Sequence, residues 1–209
     1  MKENKLYQYA LWMALFTIVY NLAEGWLSVY FGIEEETLTL FGFGADSFIE
    51  AISGLGIAHM VVRIKNSKDD SIDQFEKTAL RVTGVAFYLL SASLVIGIIV
   101  KLIRNEAPQS TVPGIIIALI SILIMWALVV MKTRVGKKLN SSPMIADASC
   151  TRICIYMSLV LLASSFAYEI FKINYIDVLG TLGIIYFSIR EGKESFDKAK
   201  GIHCCEHNH

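Results

Sequence analysis

VPGIIIALISILIMWALVVM, residues 112–131, contains no charged side chain from end to end. A helix of about 20 apolar residues is what crosses the roughly 30 Å hydrocarbon core of a bilayer. In lipid, backbone N–H and C=O groups must be satisfied within the segment, so such a run reads as a transmembrane helix. Val82–Val100 is a second uncharged run. Four further stretches are apolar but interrupted. Leu6–Ala23 continues through Glu24 towards Tyr30, Thr37–Ile64 contains Asp46 and Glu50, Met144–Tyr168 contains Asp147 and Arg152, and Ile173–Ile189 contains Asp177. The expected fold is therefore all-α, a six-span transmembrane helix bundle over residues 1–196, followed by a short Cys/His-rich tail at 197–209.

Composition agrees. Of the 209 residues, 55% are hydrophobic and 18% charged, and mean hydropathy is +0.54. An ordinary soluble domain is about 45–50% apolar even with glycine counted. Net charge is zero, so nothing points to nucleic acid as a partner. The four cysteines fall at 150/154 and 204/205, a pattern unlike a secreted disulfide framework. The first apolar stretch outruns a signal peptide and lacks a small-residue cleavage site.

The loops orient the spans. Lys2 and Lys5 precede the first span, Arg63, Lys65 and Lys68 follow the second, Lys132, Arg134, Lys137 and Lys138 follow the fourth, and Arg190, Lys193, Lys198 and Lys200 follow the sixth. The opposite loops are poorer in cations: GIEEET (32–37) is acidic, and the others hold only Lys101, Arg104 and Lys172. The positive-inside rule then makes both termini cytoplasmic. Ser142-Pro143 supplies an N-cap hydroxyl and a first-turn proline for the fifth span.

Charges deep in a span are costly, about 2.5–3.5 kcal/mol each on insertion scales, and usually mark a substrate path. Asp46 and Glu50 are four residues apart, as are Cys150 and Cys154, so each pair shares one helix face. Counted at about 1.5 Å per residue, Asp46 lies roughly 13 Å from the outer face, and Cys150 and Cys154 lie roughly 10 and 16 Å from the inner one. The two spans are antiparallel, which levels Glu50 with Cys150 and Asp46 with Cys154. Two carboxylates and two thiols at one depth form a ligand set for a divalent metal, and thiolates favour zinc or cadmium over manganese and magnesium. Two structural readings stand beside this one. A cysteine on an apolar face is often a small core hydrophobe, and a buried acid pair can join an arginine as polar glue between helices.

Asp147 reads as a carboxylate at the inner mouth or behind the ligands, or simply as a first-turn acid favoured by the helix dipole. Arg152 reads as a counter-charge or an interfacial snorkeler, Glu24 as a hydrogen-bonding residue or proton relay, and His59 as packed or lining an access route. The tail HCCEHNH brings five metal-binding side chains, His203, Cys204, Cys205, His207 and His209, a composition that commonly binds metal.

The order of these features resembles the cation diffusion facilitator (cation efflux) family, six-span exporters of divalent metals coupled to protons. LFGFGADSFIEAISG (40–54) is similar to the family's second span, whose metal ligands fall on Asp46 and Glu50. ADASCTRICIYMS (146–158) is similar to its fifth span, where Ala146, Asp147 and Arg152 match and the His and Asp ligands fall on Cys150 and Cys154. NLAEGWLSVYFG (21–32) and IDVLGTLGIIYFSIREGKESF (176–196) resemble its first and sixth spans. The resemblance implies proton-coupled efflux of zinc-like or softer cations, in the lipid bilayer of a prokaryotic cytoplasmic membrane, with the metal as cargo and no prosthetic group. The chain departs in its two cysteines and its glutamate, and the family's cytoplasmic C-terminal domain is expected to be lacking, so a homodimer would form through the spans. The fourth-to-fifth loop, TRVGKKLNSSP, is short and holds no histidine. Two other functions compete: a membrane thiol oxidoreductase using Cys150 and Cys154, and a membrane metal sensor that does not transport. The oxidoreductase suffers from spacing, since redox pairs favour Cys-x-x-Cys and an i,i+4 helical pair is poorly placed for a disulfide.

Overall fold

Six long helices and no strands make up the described residues of this computed structural model, which are 2–67, 74–104, 108–139, 142–173 and 175–200. They are α1 (Lys2–Glu34), α2 (Leu38–Ser67), α3 (Gln74–Arg104), α4 (Val112–Leu139), α5 (Ser142–Phe171) and α6 (Tyr175–Ala199). Five contain segments long and apolar enough to cross a membrane: Lys5–Glu34, Leu38–Asn66, Gln74–Arg104, Val112–Leu139 and Cys150–Phe171. The sixth, α6, has 25 residues, roughly 37 Å at about 1.5 Å each, so its length suffices. Its last ten residues are strongly charged, and they carry the helix on past the apolar run that ends at Ile189. Likewise α3 starts eight residues ahead of Val82, where Glu76, Lys77 and Arg81 decorate an extra two turns. α5 opens at Ser142.

Because lipid is as apolar as leucine, burial alone does not drive such helices together; close packing and interhelical hydrogen bonds do. The exterior accordingly carries Trp12, Val19, Trp26, Ile103, Leu123 and Trp126, while Ser28, Ser121, Ser158, Thr181 and Ser188 are fully buried. α1 lies along α2, α4 along α5 and α3 along α6. Between α1 and α2 the backbones nearly touch. A Cβ on Gly44 would lie 2.7 Å from Val29 N, and one on Gly32 would lie 2.6 Å from Phe41 N, so only glycine permits this approach. Ser158 Oγ lies 2.9 Å from Ser121 Oγ across α4–α5. The apolar core gathers Leu40, Phe43, Phe87, Leu94, Met157, Leu161 and Ile184 from α2, α3, α5 and α6.

At the end of the bundle bearing the α1–α2 turn, polar contacts are dense. Asp177 of α6 is 1% exposed and accepts hydrogen bonds from the N–H groups of Leu38 (3.0 Å) and Thr39 (3.1 Å), capping α2 from another helix. Lys101 of α3 lies 2.6 Å from Asp177 Oδ2 and donates to the Glu36 carbonyl at 2.8 Å. Thr39 Oγ1 donates to the Asp177 carbonyl at 2.7 Å.

Candidate metal-transport site

In the opposite half of the bundle, the half that holds the start of α1 and the end of α6, an open cavity of about 130 Å³ is walled by all six helices. The charge asymmetry of the loops is what leads the sequence reading to expect the cytoplasm on this side. Its inner wall carries Asn21 from α1, Glu50 from α2, Lys132 from α4, Cys150 and Cys154 from α5, and Glu191 from α6.

Glu50 and Cys154 meet. The Cys154 thiol donates to Glu50 Oε1 and also lies 3.5 Å from the Cys150 carbonyl. Asn21 Nδ2 donates to the other oxygen of Glu50 at 3.1 Å. Asp46 stands one turn further along α2, beyond the residues that line the cavity. It is 2% exposed, and its Oδ1 has no hydrogen-bond partner among the described residues. Cys150 points elsewhere: Lys198 Nζ lies 2.6 Å from its sulfur and 2.8 Å from Glu194 Oε1. Both thiols are free. Among the described residues no three His, Cys, Asp or Glu side chains are close enough together to hold an ion in this conformation.

The levels therefore differ from the count along the sequence, which set Glu50 beside Cys150 and Asp46 beside Cys154. Glu50 is level with Cys154 instead, a slip of one helical turn. The two depths are counted from opposite bilayer faces, so an error in placing either face shifts one set of residues against the other. A turn spans about 5.4 Å, so a modest error in either face moves the pairing by one rung.

Asp147 lines the cavity and is held by Lys132 of α4 at 3.1 Å; Lys132 also reaches Thr151 Oγ1 at 3.1 Å. Arg152 is exposed on the outer face of α5, two residues and about 200° round the helix from Cys150. It is therefore not the counter-charge of the thiols; Lys198 stands beside Cys150 instead. Glu24 is buried and fully engaged, accepting from Tyr20 Oη at 2.7 Å and Ser47 Oγ at 3.1 Å. His59, 42% exposed, pairs with Glu76 of α3 at 3.4 Å and packs on Phe75, outside the cavity wall. Glu76 is also held by Arg63 at 3.0 Å. The tail ligands His203, Cys204, Cys205, His207 and His209 lie outside the described residues.

Residues 9–199 match the cation efflux transmembrane domain. The chain belongs to the cation efflux family. Members of this family are transporters of metal cations, so the chain is an integral membrane protein for metal-cation transport. The match takes in all four proposed ligands and the whole cavity wall of this cation efflux protein.

Four charged groups of that wall, Glu76, Lys132, Glu191 and Lys198, have no site role in the sequence reading, where Lys132 and Lys198 serve only to orient the spans. One signal for Glu191 is nonetheless present. Asp177, Thr181, Ser188, Glu191 and Ser195 follow one another on α6 at helical spacing and are all buried, a polar stripe on the inward face of the helix.

Proposed function

We propose that this protein is a proton-coupled exporter of divalent heavy-metal cations, zinc or cadmium foremost, and that Asp46, Glu50, Cys150 and Cys154 bind the ion. The observation that carries this reading is the Glu50–Cys154 contact at the inner wall of a cavity reaching towards the cytoplasmic side, with the unpartnered Asp46 carboxylate one turn beyond. Buried polar groups are almost always hydrogen-bonded. A carboxylate kept without a partner beside a thiol is a position waiting for a cation.

The ligands also supply a coupling. Thiols and carboxyls must lose their protons to bind metal, so metal binding releases protons. The Cys154 thiol hydrogen is shared with Glu50, and a metal ion arriving between them displaces it. Lys198 occupies the Cys150 sulfur as a tethered cation. Its withdrawal to Glu194 frees that thiol to join the ion one turn inward. Protons from the far side then reload the thiols and carboxyls and expel the metal. Mixed sulfur and oxygen ligands favour zinc and cadmium over manganese and magnesium. The thiol oxidoreductase reading loses support, because the two sulfurs face different partners, Glu50 and Lys198.

The test is flux in proteoliposomes containing a pH-sensitive dye, run against a panel of divalent metals. Zinc and cadmium uptake should be accompanied by proton movement in the opposite direction, and Asp46→Ala or Cys150→Ala should abolish both. Normal transport by both variants would remove the proposed site, and tight binding without flux would leave a sensor instead.

A further inference from the structure

We propose that Glu191 of α6 is a further cation-binding position, a carboxylate station that takes a hydrated divalent metal ion in the inner cavity before it reaches Glu50 and Cys154. The proposal deepens the transport reading above and rests on it.

Glu191 lines the cavity, is 7% exposed, and its Oε1 has no hydrogen-bond partner among the described residues. The other charged side chains of the wall are engaged. Glu76 is held by Arg63 and His59, Asp147 and Lys132 hold each other, and Lys198 is shared by Glu194 and Cys150. Glu50 and Glu191 are the two that remain with no cation in ion-pair contact among the described residues. Glu50 has Asn21 and Cys154 to satisfy it; Glu191 has no comparable donor.

Its position is central. Glu191 shares the cavity wall with Glu50, Cys150 and Cys154, on a helix that contributes none of the four proposed ligands. The helix cannot easily turn the residue away. Next to it, Gly192 lies so close to α3 that a Cβ there would sit 3.3 Å from both the Gly84 carbonyl and Phe87 Cβ. A single negative charge in a low-dielectric cleft concentrates cations locally. With no three ligands converging, the arrangement suits an ion that keeps most of its water, as a station on a path requires, rather than one captured in a closed shell.

The experiment measures initial cadmium uptake against concentration in proteoliposomes for the unaltered protein, Glu191→Gln, Glu191→Asp and Glu50→Gln, with thermal unfolding of each in metal-free buffer. Glu191→Gln should raise KM about tenfold while leaving kcat nearly unchanged. Its unfolding temperature should stay level or rise, because an unpartnered buried carboxyl has been neutralised. Glu191→Asp, which keeps the charge, should recover much of the lost affinity. An unchanged KM in Glu191→Gln, beside an inactive Glu50→Gln, would overturn this proposal and leave the transport site standing. A lowered unfolding temperature with unchanged KM would make Glu191 structural and overturn it equally. Normal transport by Glu50→Gln would remove the transport site itself, and Glu191 with it.

Discussion

Asp177 and Asp46 are both buried aspartates in membrane helices, and the bundle treats them in opposite ways. Asp177 takes two backbone N–H groups of α2 and the ammonium of Lys101. Asp46 keeps an oxygen to which no described residue donates. Around Asp177 the polar groups close on themselves: Lys101 is completed by the Glu36 carbonyl, and Thr39 by the Asp177 carbonyl and Thr181. On the wall of the inner cavity, Asn21 Oδ1 and Glu191 Oε1 likewise have no hydrogen-bond partner among the described residues. A membrane protein bears the desolvation of a charge for either of two reasons. One end of this bundle uses it to lock helices together, and on the proposed reading the other holds it open for a cation.

The sharpest way to break that contrast is to neutralise each acid in turn. Asp46→Asn or Glu50→Gln should abolish metal flux and leave the unfolding temperature unchanged or higher. Asp177→Asn should do the reverse. It strands Lys101 in the interior, which typically costs about 3–5 kcal/mol when a buried pair loses one partner, yet flux per folded molecule should persist. Flux normalised to folded protein, measured beside thermal unfolding, separates the two outcomes. Reversed results would mean that the roles of the two acids have been exchanged.

A smaller effect concerns the sulfur. Cys154→Ser keeps an oxygen beside Glu50 but removes a soft ligand, so the preference for cadmium over manganese should fall about tenfold, with transport retained. Competition flux with both ions measures the ratio. An unaltered ratio would place the sulfur outside the ion's coordination.

Much of this architecture is legible in the sequence, because its signals are local. The uncharged run 112–131 and its five companions specify helices long enough to cross a bilayer, and the cationic loops order them. The i,i+4 spacing of Asp46 with Glu50 and of Cys150 with Cys154 identifies two faces. Which rung of one face meets which rung of the other is not local. It depends on how α2 and α5 are shifted along each other in the bundle, and the Glu50–Cys154 contact sits one turn from the level expected. The partners of the acids are equally hidden. Nothing near Asp147 in the chain announces Lys132, and nothing near Cys150 announces Lys198, since each comes from another helix. Arg152, adjacent in sequence and tempting as a counter-charge, faces outward because two residues along a helix is more than half a turn. The polar stripe on α6 was the exception, a periodic signal within one segment that leads to Glu191.

The central claim is that one metal ion is held by sulfur and oxygen together, from α5 and α2. Zinc K-edge X-ray absorption tests it most directly, on protein whose tail ligands His203, Cys204, Cys205, His207 and His209 have been replaced by serine. The account predicts a mixed first coordination sphere, sulfur at about 2.3 Å with oxygen at about 2.0–2.2 Å, that loses sulfur in Cys154→Ser and oxygen in Glu50→Ala. A sphere without sulfur, or one unchanged by either substitution, would contradict it.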